Sequence, residues 1–409
     1  MSHGPTGQHP HQGPDAHDAH PPPRRRGMRA RDPHEPHRVA TPLELLYDLC
    51  FVVAVAQAAA HLHHGLGAGH FATALRGYAM VFFGIWWAWM NFTWFASAYD
   101  SDDVPYRLKV LVQIAGVLVL AAGVPRAFEH GDFTVMTLGY AIMRVALVAQ
   151  WLRAAASHPA GRRTALRMAL GVTLCEVGWI GLLLVPAAWR GWAWLVLVPC
   201  ELLVPVWGER AGATPWHPHH ISERYGLLTL ILLGESVLAA TTTIQGALDA
   251  GRLSVRFIGN SVGTLLVFFS MWWIYFDRPM HGLLRSNREG FLWGYGHFVL
   301  FAAMAAVGAG LGVFADHLGG HGATAAWQAS AALGVPVALF VFGVWFLVLR
   351  PLHRSALLAL VFPLGSALVV GLSLLGSAWT VLLIGGVLAA LVAVLIAVCA
   401  GRREAAPQH

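Results

Sequence analysis

From Leu43 to Cys399 the chain is a succession of apolar runs near twenty residues long, broken by short gaps that carry Arg, Asp, Pro and Gly. Each run has about the length a helix needs to cross a hydrocarbon core of ~30 Å. The runs are apolar on all sides, whereas a membrane β-barrel would show segments of about ten residues with strict alternation. The pattern predicts an all-α polytopic membrane protein with about twelve transmembrane helices, near residues 43–63, 71–97, 106–125, 133–154, 165–187, 191–207, 222–244, 255–277, 290–315, 325–349, 355–374 and 378–400. Ten is the alternative count, because the fifth and sixth runs meet at PAAWRGW, where they could form a re-entrant pair.

Composition supports the membrane class: of 409 residues 56% are hydrophobic and only 12% charged. The net charge of +6 does not point to nucleic acid, since the Arg residues fall mostly in short gaps between runs. Assigning Lys and Arg to alternate sides puts twenty-one on the side of the N-terminal tail and four on the other, with Arg76 and Arg144 inside spans. The positive-inside rule then predicts both termini in the cytoplasm and an even number of spans. Residues 1–38 hold seven His, many Pro and Gly and the cluster PPPRRRGMRAR, with little to bury, so a disordered tail is expected and not a signal peptide. Cys50, Cys175, Cys200 and Cys399 all lie in apolar runs without a CxxC, which predicts buried thiols in place of a disulfide framework or zinc site.

An internal repeat is visible. FFGIWWAWMNF (Phe82 to Phe92) in the second run aligns with FFSMWWIYFDR (Phe268 to Arg278) in the eighth, matching Trp86 and Trp87 with Trp272 and Trp273, and Asn91 with Asp277. TPLELLYDLCFVVAVAQ aligns more weakly with ISERYGLLTLILLGES, setting Gln57 opposite Glu235. Six spans separate the partners, so the expected organisation is two parallel six-helix halves, 39–211 and 212–401, followed by a short cytoplasmic tail, 402–409. In such an arrangement a substrate path lies at the seam between halves.

The segments TPLELLYDLCFVVAVAQ and ERYGLLTLILLGESVLA (Glu223 to Ala239), with WWAWMNFTWFASAYDSDDVPYR (Trp86 to Arg107) and GYGH (Gly294 to His297), together resemble the low temperature requirement protein A family of bacterial membrane proteins. The resemblance covers the chain from about Arg38 to the last run. It implies a multi-pass inner-membrane protein. Because the family takes its name from a growth phenotype, the resemblance strengthens the architecture and says little about a reaction.

Polar residues inside apolar runs are the candidates for chemistry, because a charge near the bilayer centre costs from ~3 to more than ~10 kcal/mol. Glu235 lies mid-run in LLGES, Glu176 and Glu201 in the fifth and sixth runs, and Arg144 in the fourth. An arginine in mid-span needs a fixed counter-ion, so Arg144 is expected to pair with Glu176 or Glu201, leaving carboxylates over. Glu235 is the leading transport-path candidate: a buried acid held neutral is tolerable, and the same acid can take up and release a proton as access alternates. Glu44 and Asp48 share one helix face. Thr41 and Pro42 cap that helix and account for Glu44, while Asp48 reads as part of the same cap, as a polar vestibule or as an ion pair at Glu223 and Arg224. Gln57, Asn91 and Asp277 complete the path candidates, although Asp277 beside Arg278 also reads as a surface ion pair. His297 reads as a satisfied core histidine or a proton relay. Trp86, Trp87, Trp272 and Trp273 read as packing or as a cation-binding wall. His61, His63, His64 and His317 are weak metal candidates on the outer face, beside His70 and His321. The tail histidines and the HPHH of His217 to His220 fix no ligand geometry.

No Walker A, GxSxG or HExxH sequence is present, so an ATP-driven pump is disfavoured and an enzyme is the lesser expectation. The expected activity is secondary transport or proton-coupled permeation of a small ion or molecule. The alternatives are an ion channel, or a non-transporting protein acting on lipids or serving as an envelope sensor or scaffold. The lipid bilayer is the expected partner, no cofactor and no nucleic acid are expected, and self-association is left open.

Overall fold

The computed structural model describes residues 27, 28, 30–32, 35, 38–249, 251, 254–353 and 355–404; the tail up to residue 26, expected to be disordered, lies outside the described residues, as do residues 405–409. Twelve long helices follow one another through short links: α1 (Pro42–Gly67), α2 (Phe71–Tyr99), α3 (Val104–His130), α4 (Thr134–Ser157), α5 (Arg162–Leu182), α6 (Ala187–Glu209), α7 (Pro218–Asp249), α8 (Val255–Phe276), α9 (Asn287–Gly319), α10 (Ala326–Leu352), α11 (Ala356–Leu374) and α12 (Thr380–Glu404). No strand occurs among the described residues. Eleven of these helices have the length and hydropathy of a membrane span. The twelfth, α2, has 29 residues and is ~44 Å long at 1.5 Å per residue; its Trp, Tyr, Asn, Thr and Ser side chains lower its hydropathy. α5 and α6 are separate helices of 21 and 23 residues, each long and apolar enough to cross a membrane, and PAAWRGW opens the second of them.

The helix starts follow from local sequence. Thr41 accepts from the Glu44 backbone N–H while the Glu44 carboxylate accepts from the Thr41 N–H, a reciprocal capping box with Pro42 at the first helical position. Asp103, Ser254, Ser286 and Ser355 cap α3, α8, α9 and α11 in the same one-sided way.

Close packing rests on small residues, as expected where lipid gives helices no hydrophobic reason to associate. A Cβ on Gly139 of α4 would stand 2.3 Å from the Leu120 backbone nitrogen of α3, and one on Gly310 of α9 would stand 2.3 Å from the Ala332 carbonyl oxygen of α10. Several neighbours also recur six helices on, although α8 packs closely on α12 and α2 has no comparable contact with α6. α1 touches α2 and α3 as α7 touches α8 and α9; α4 touches α2, α3 and α5 as α10 touches α8, α9 and α11; α5 touches α6 as α11 touches α12. α1 and α2 meet α7 and α9 along the seam between these two sets.

Candidate functional site

Two buried polar clusters stand out, one at the seam and one inside the first set of helices. At the seam, Arg224 of α7 reaches across to α1. Its Nε and Nη2 donate to Asp48 at 3.0 and 2.5 Å, and its Nη1 lies 3.0 Å from Glu44 Oε1. Glu44 and Asp48 are one turn apart, so a single guanidinium can span both. Trp89 Nε1 donates to Asp48 at 2.7 Å, and His220 Nε2 lies 3.2 Å from Glu44. All four charged or titratable groups are fully buried. Just outside the spans, Arg38 donates to the Ser97 and Ala96 carbonyls. Burial pushes the nearby Asp100 carboxyl up to about 6, the Glu44 charge adding to the rise and Arg38 opposing it. Burial likewise lowers the Arg38 guanidinium from its ordinary value.

The second cluster lies among α2, α4, α5 and α6. Arg144 Nη2 donates to both oxygens of Glu201 at 3.0 and 3.1 Å, to the Tyr140 hydroxyl, and through Nη1 to Asn91 Oδ1 at 3.4 Å. Trp87 Nε1 donates to Glu201 Oε2 at 2.6 Å and Trp179 Nε1 to Oε1 at 2.9 Å. Tyr140 and Arg144 are four apart on one face, which is why both reach the same carboxylate region. Glu176, only 8% exposed, has no hydrogen-bond partner for either oxygen among the described residues.

A cavity stands on each side of this layer. The larger, about 700 Å³, opens at the junctions α3–α4 and α5–α6, with Arg76, Asp132 and Arg190 at its mouth and Tyr140 and Trp179 in its wall. A smaller one, about 50 Å³, lies toward the α6–α7 link and is lined by Trp87, Asn91 and Glu209 among others. Both walls therefore contribute bonds to one Arg144–Glu201 pair: Tyr140 and Trp179 from one side, Trp87 and Asn91 from the other.

The remaining sequence candidates do not join these clusters. Glu235 is half-buried on the rim of α7 without hydrogen bond or ion pair among the described residues; its neighbour Ser236 is the residue that points inward, donating to the Met304 carbonyl at 3.2 Å. Gln57 is exposed on α1. His297 is fully buried, its Nδ1 2.7 Å from the Trp293 carbonyl and its Nε2 3.1 Å from the Tyr275 hydroxyl. That makes Nδ1 the protonated nitrogen and Nε2 the acceptor. His61, His63 and His317 have separate partners, respectively Glu129 with the Gln57 carbonyl, Asp316, and the Thr324 carbonyl, while His64 is exposed and stacks on His63; they do not gather as metal ligands. Asp277 pairs with Arg278 and with His353. Trp86 and Trp87 are 3% and 0% exposed, whereas Trp272 and Trp273 are 46% and 43% exposed.

Sequence reading passed over Tyr140 and Trp179, and it took His220 only as part of an HPHH segment that fixes no ligand geometry. The i, i+4 spacing of Tyr140 and Arg144 was the available signal for the first. Nothing local marks Trp179 among 17 tryptophans.

Fold and clusters together define a polytopic helical membrane protein that keeps charged pairs in its interior. Residues 39–400 match the family profile of bacterial low temperature requirement A protein (LtrA), and the chain belongs to that family. It is also similar to an uncharacterized protein of Rhizobium meliloti (strain 1021), with 27% identity over 271 residues and 62% of this chain matched; the chain covers 64% of that relative's length.

Proposed function

We propose that this protein is a proton-coupled secondary transporter whose path crosses the first six helices at the Arg144–Glu201 layer. The supporting observation is the shared wall: a cavity of about 700 Å³ and one of about 50 Å³ approach the same ion pair from opposite sides. Glu176 beside that layer supplies the coupling. A buried carboxylate with neither ion pair nor hydrogen bond is costly, while a protonated carboxyl is tolerable. In this reading Arg144 exchanges Glu201 for Glu176. The acid it leaves takes the proton and the acid it joins gives one up. The pair breaks and reforms as access passes from one cavity to the other. The layer closed by Arg144, Tyr140, Trp87 and Trp179 favours such a gated carrier over an open channel.

Residues 39–211 and 212–401 are read as two copies of one unit, supported by the WW motifs and by the recurring helix neighbours. The location is the bacterial inner membrane with both termini cytoplasmic, supported by the surplus of Lys and Arg on the tail side. The large cavity then faces outward.

The test is proton and cation flux into liposomes carrying the purified protein, comparing wild type with Glu176→Gln, Glu201→Gln and Glu235→Gln. Wild-type flux that is lost in Glu176→Gln and kept in Glu235→Gln, with both variants monodisperse, supports the reading. Wild-type flux unchanged in Glu176→Gln overturns it.

A further inference from the structure

The ends of α8, α10 and α12 bring together three residues of different chemistry. Asp277 caps the C-terminus of α8, His353 follows α10 directly, and Cys399 lies near the end of α12. Asp277 Oδ2 is 3.4 Å from His353 Nε2 and 3.9 Å from Cys399 Sγ, and the three ligand atoms all lie within 4.8 Å of one another. Among the described residues this is the one such group of metal-ligating side chains.

We propose that Asp277, His353 and Cys399 form a binding site for a divalent transition-metal ion of the zinc class, clipping together the ends of three helices in the second half. Zinc binds carboxylate oxygen, imidazole nitrogen and thiolate sulfur at ~2.0 to 2.3 Å. Around a tetrahedral ion those bond lengths separate ligand atoms by roughly 3.3 to 3.8 Å. The Asp277–His353 and Asp277–Cys399 distances are already close to that range, so the site closes by sub-ångström to ångström shifts of side chains. Mixed oxygen, nitrogen and sulfur donors favour a borderline ion over magnesium or calcium, which take oxygen alone. The setting adds to the ligands: each helix presents its C-terminal end, where unsatisfied carbonyls and the negative end of the helix dipole favour a cation. Three ligands leave a fourth position for water or an incoming group. An opposing charge among the described residues is Arg278, whose Nε lies 3.5 Å from Asp277 Oδ2 and whose side chain also interacts with Cys399. Its side chain is 36% exposed and can turn into solvent when an ion takes its place.

The test uses the full chain in detergent, titrated with Co²⁺ as a spectroscopic stand-in for Zn²⁺. Any Co²⁺ taken up by histidines elsewhere is silent in this readout, because only thiolate ligation produces a sulfur-to-cobalt charge-transfer band. The expected result is such a band saturating at one equivalent, bleached by Zn²⁺ and absent in Cys399→Ser. His353→Ala, which keeps the thiol, should weaken binding roughly tenfold or more, and Arg278→Ala should tighten it. No thiolate band in wild type, a band that persists in Cys399→Ser, or wild-type affinity in His353→Ala would each overturn the proposal. Should Cys399→Ser not yield folded protein, the wild-type band and the His353→Ala affinity still decide it.

Discussion

The two sets of six helices share a pattern of neighbours but differ in what they bury. In the first, α4, α5 and α6 enclose Arg144, Glu176 and Glu201. The second buries mainly hydroxyl and amide side chains along α8 to α12, with His297 on α9, and its buried arginine, Arg224 of α7, sits at the seam. Asn91, at the end of one WW motif, joins the Arg144–Glu201 layer, while its counterpart Asp277 stands at the helix ends beside His353 and Cys399. The same packing scheme thus supports an interior ion pair flanked by two cavities in the first set and a bundle whose buried polar groups are mainly uncharged beyond the seam in the second. Lipid-facing packing by small residues does not require either choice, so the two halves are free to divide rigidity and chemistry between them.

The largest expected effect lies where the halves meet. Arg224→Ala leaves Asp48 buried without a counter-ion and Glu44 with only the His220 ring, and breaking a buried pair from one side typically costs ~3 to 5 kcal/mol. The variant should lose most of its monodisperse population in size-exclusion of detergent-solubilised protein. Arg350→Ala, whose guanidinium only lies over the Trp345 and Phe346 rings, should cost under ~1 kcal/mol. Equal behaviour of the two would mean that the seam is not held by this guanidinium.

The paired tryptophans sharpen the contrast between the two sets of helices. Trp87→Ala removes a fully buried ring and a donor to Glu201, for an expected loss of ~3 to 5 kcal/mol. Trp273→Ala removes a ring that is 43% exposed and should change stability by less than ~1 kcal/mol. Thermal melting followed by intrinsic fluorescence separates the two. Similar losses would require Trp273 to be covered in the membrane, for instance by another copy.

These pairs also mark how far the sequence could be read. Helix number, the Thr41 cap and the acid pair on one face of α1 are local properties, fixed by run length and by i, i+3 and i, i+4 spacing. The rotation of each helix about its axis is not. The motifs FFGIWWAWMNF and FFSMWWIYFDR are nearly interchangeable as strings, yet one pair of tryptophans is covered and the other faces outward. Glu235 lies at the middle of its run, but the turn of α7 directs Ser236 toward α9 and leaves the acid on the rim. Gln57 is exposed for the same reason. That Arg144 would pair with a nearby acid followed from the cost of burying it. Which acid it met depended on how α5 and α6 turn, and Glu201 has it while Glu176 does not.

A smaller effect is expected at the rim of the first half. The Asp100 carboxyl has its folded-state value raised to about 6 from 3.8. A raised acid binds its proton more tightly in the folded protein, so its contribution is fully present below pH ~4 and is lost as pH rises through ~6. The loss amounts to at most ~3 kcal/mol, at 1.36 kcal/mol per pH unit. Asp100→Asn should flatten the fall in melting temperature between pH 4 and 7 and change little outside it. An identical pH profile in the variant would assign that dependence to other groups.

The smallest expected change is also the one that best separates structure from transport. Tyr275→Phe and Tyr140→Phe each remove one buried hydroxyl, the first from His297 Nε2 in the second half and the second from Arg144 in the first. A net loss of ~1 kcal/mol is the usual magnitude for such a bond, rising to ~3 kcal/mol when a buried partner is left unsatisfied. His297 keeps its bond to the Trp293 carbonyl, and Arg144 keeps Glu201 and Asn91, so both variants should remain folded with similar, modest drops in melting temperature. Their flux should differ. Tyr140 belongs to the wall of the large cavity and holds the guanidinium that the proposed cycle moves, so its loss frees Arg144 and alters rate or proton coupling. Tyr275 borders a histidine whose nitrogens are both engaged and which touches neither cavity, so its loss should leave flux unchanged. If Tyr275→Phe impairs flux as strongly as Tyr140→Phe, the division between a chemical half and a rigid half fails, because a residue in the second set would then be acting on the path.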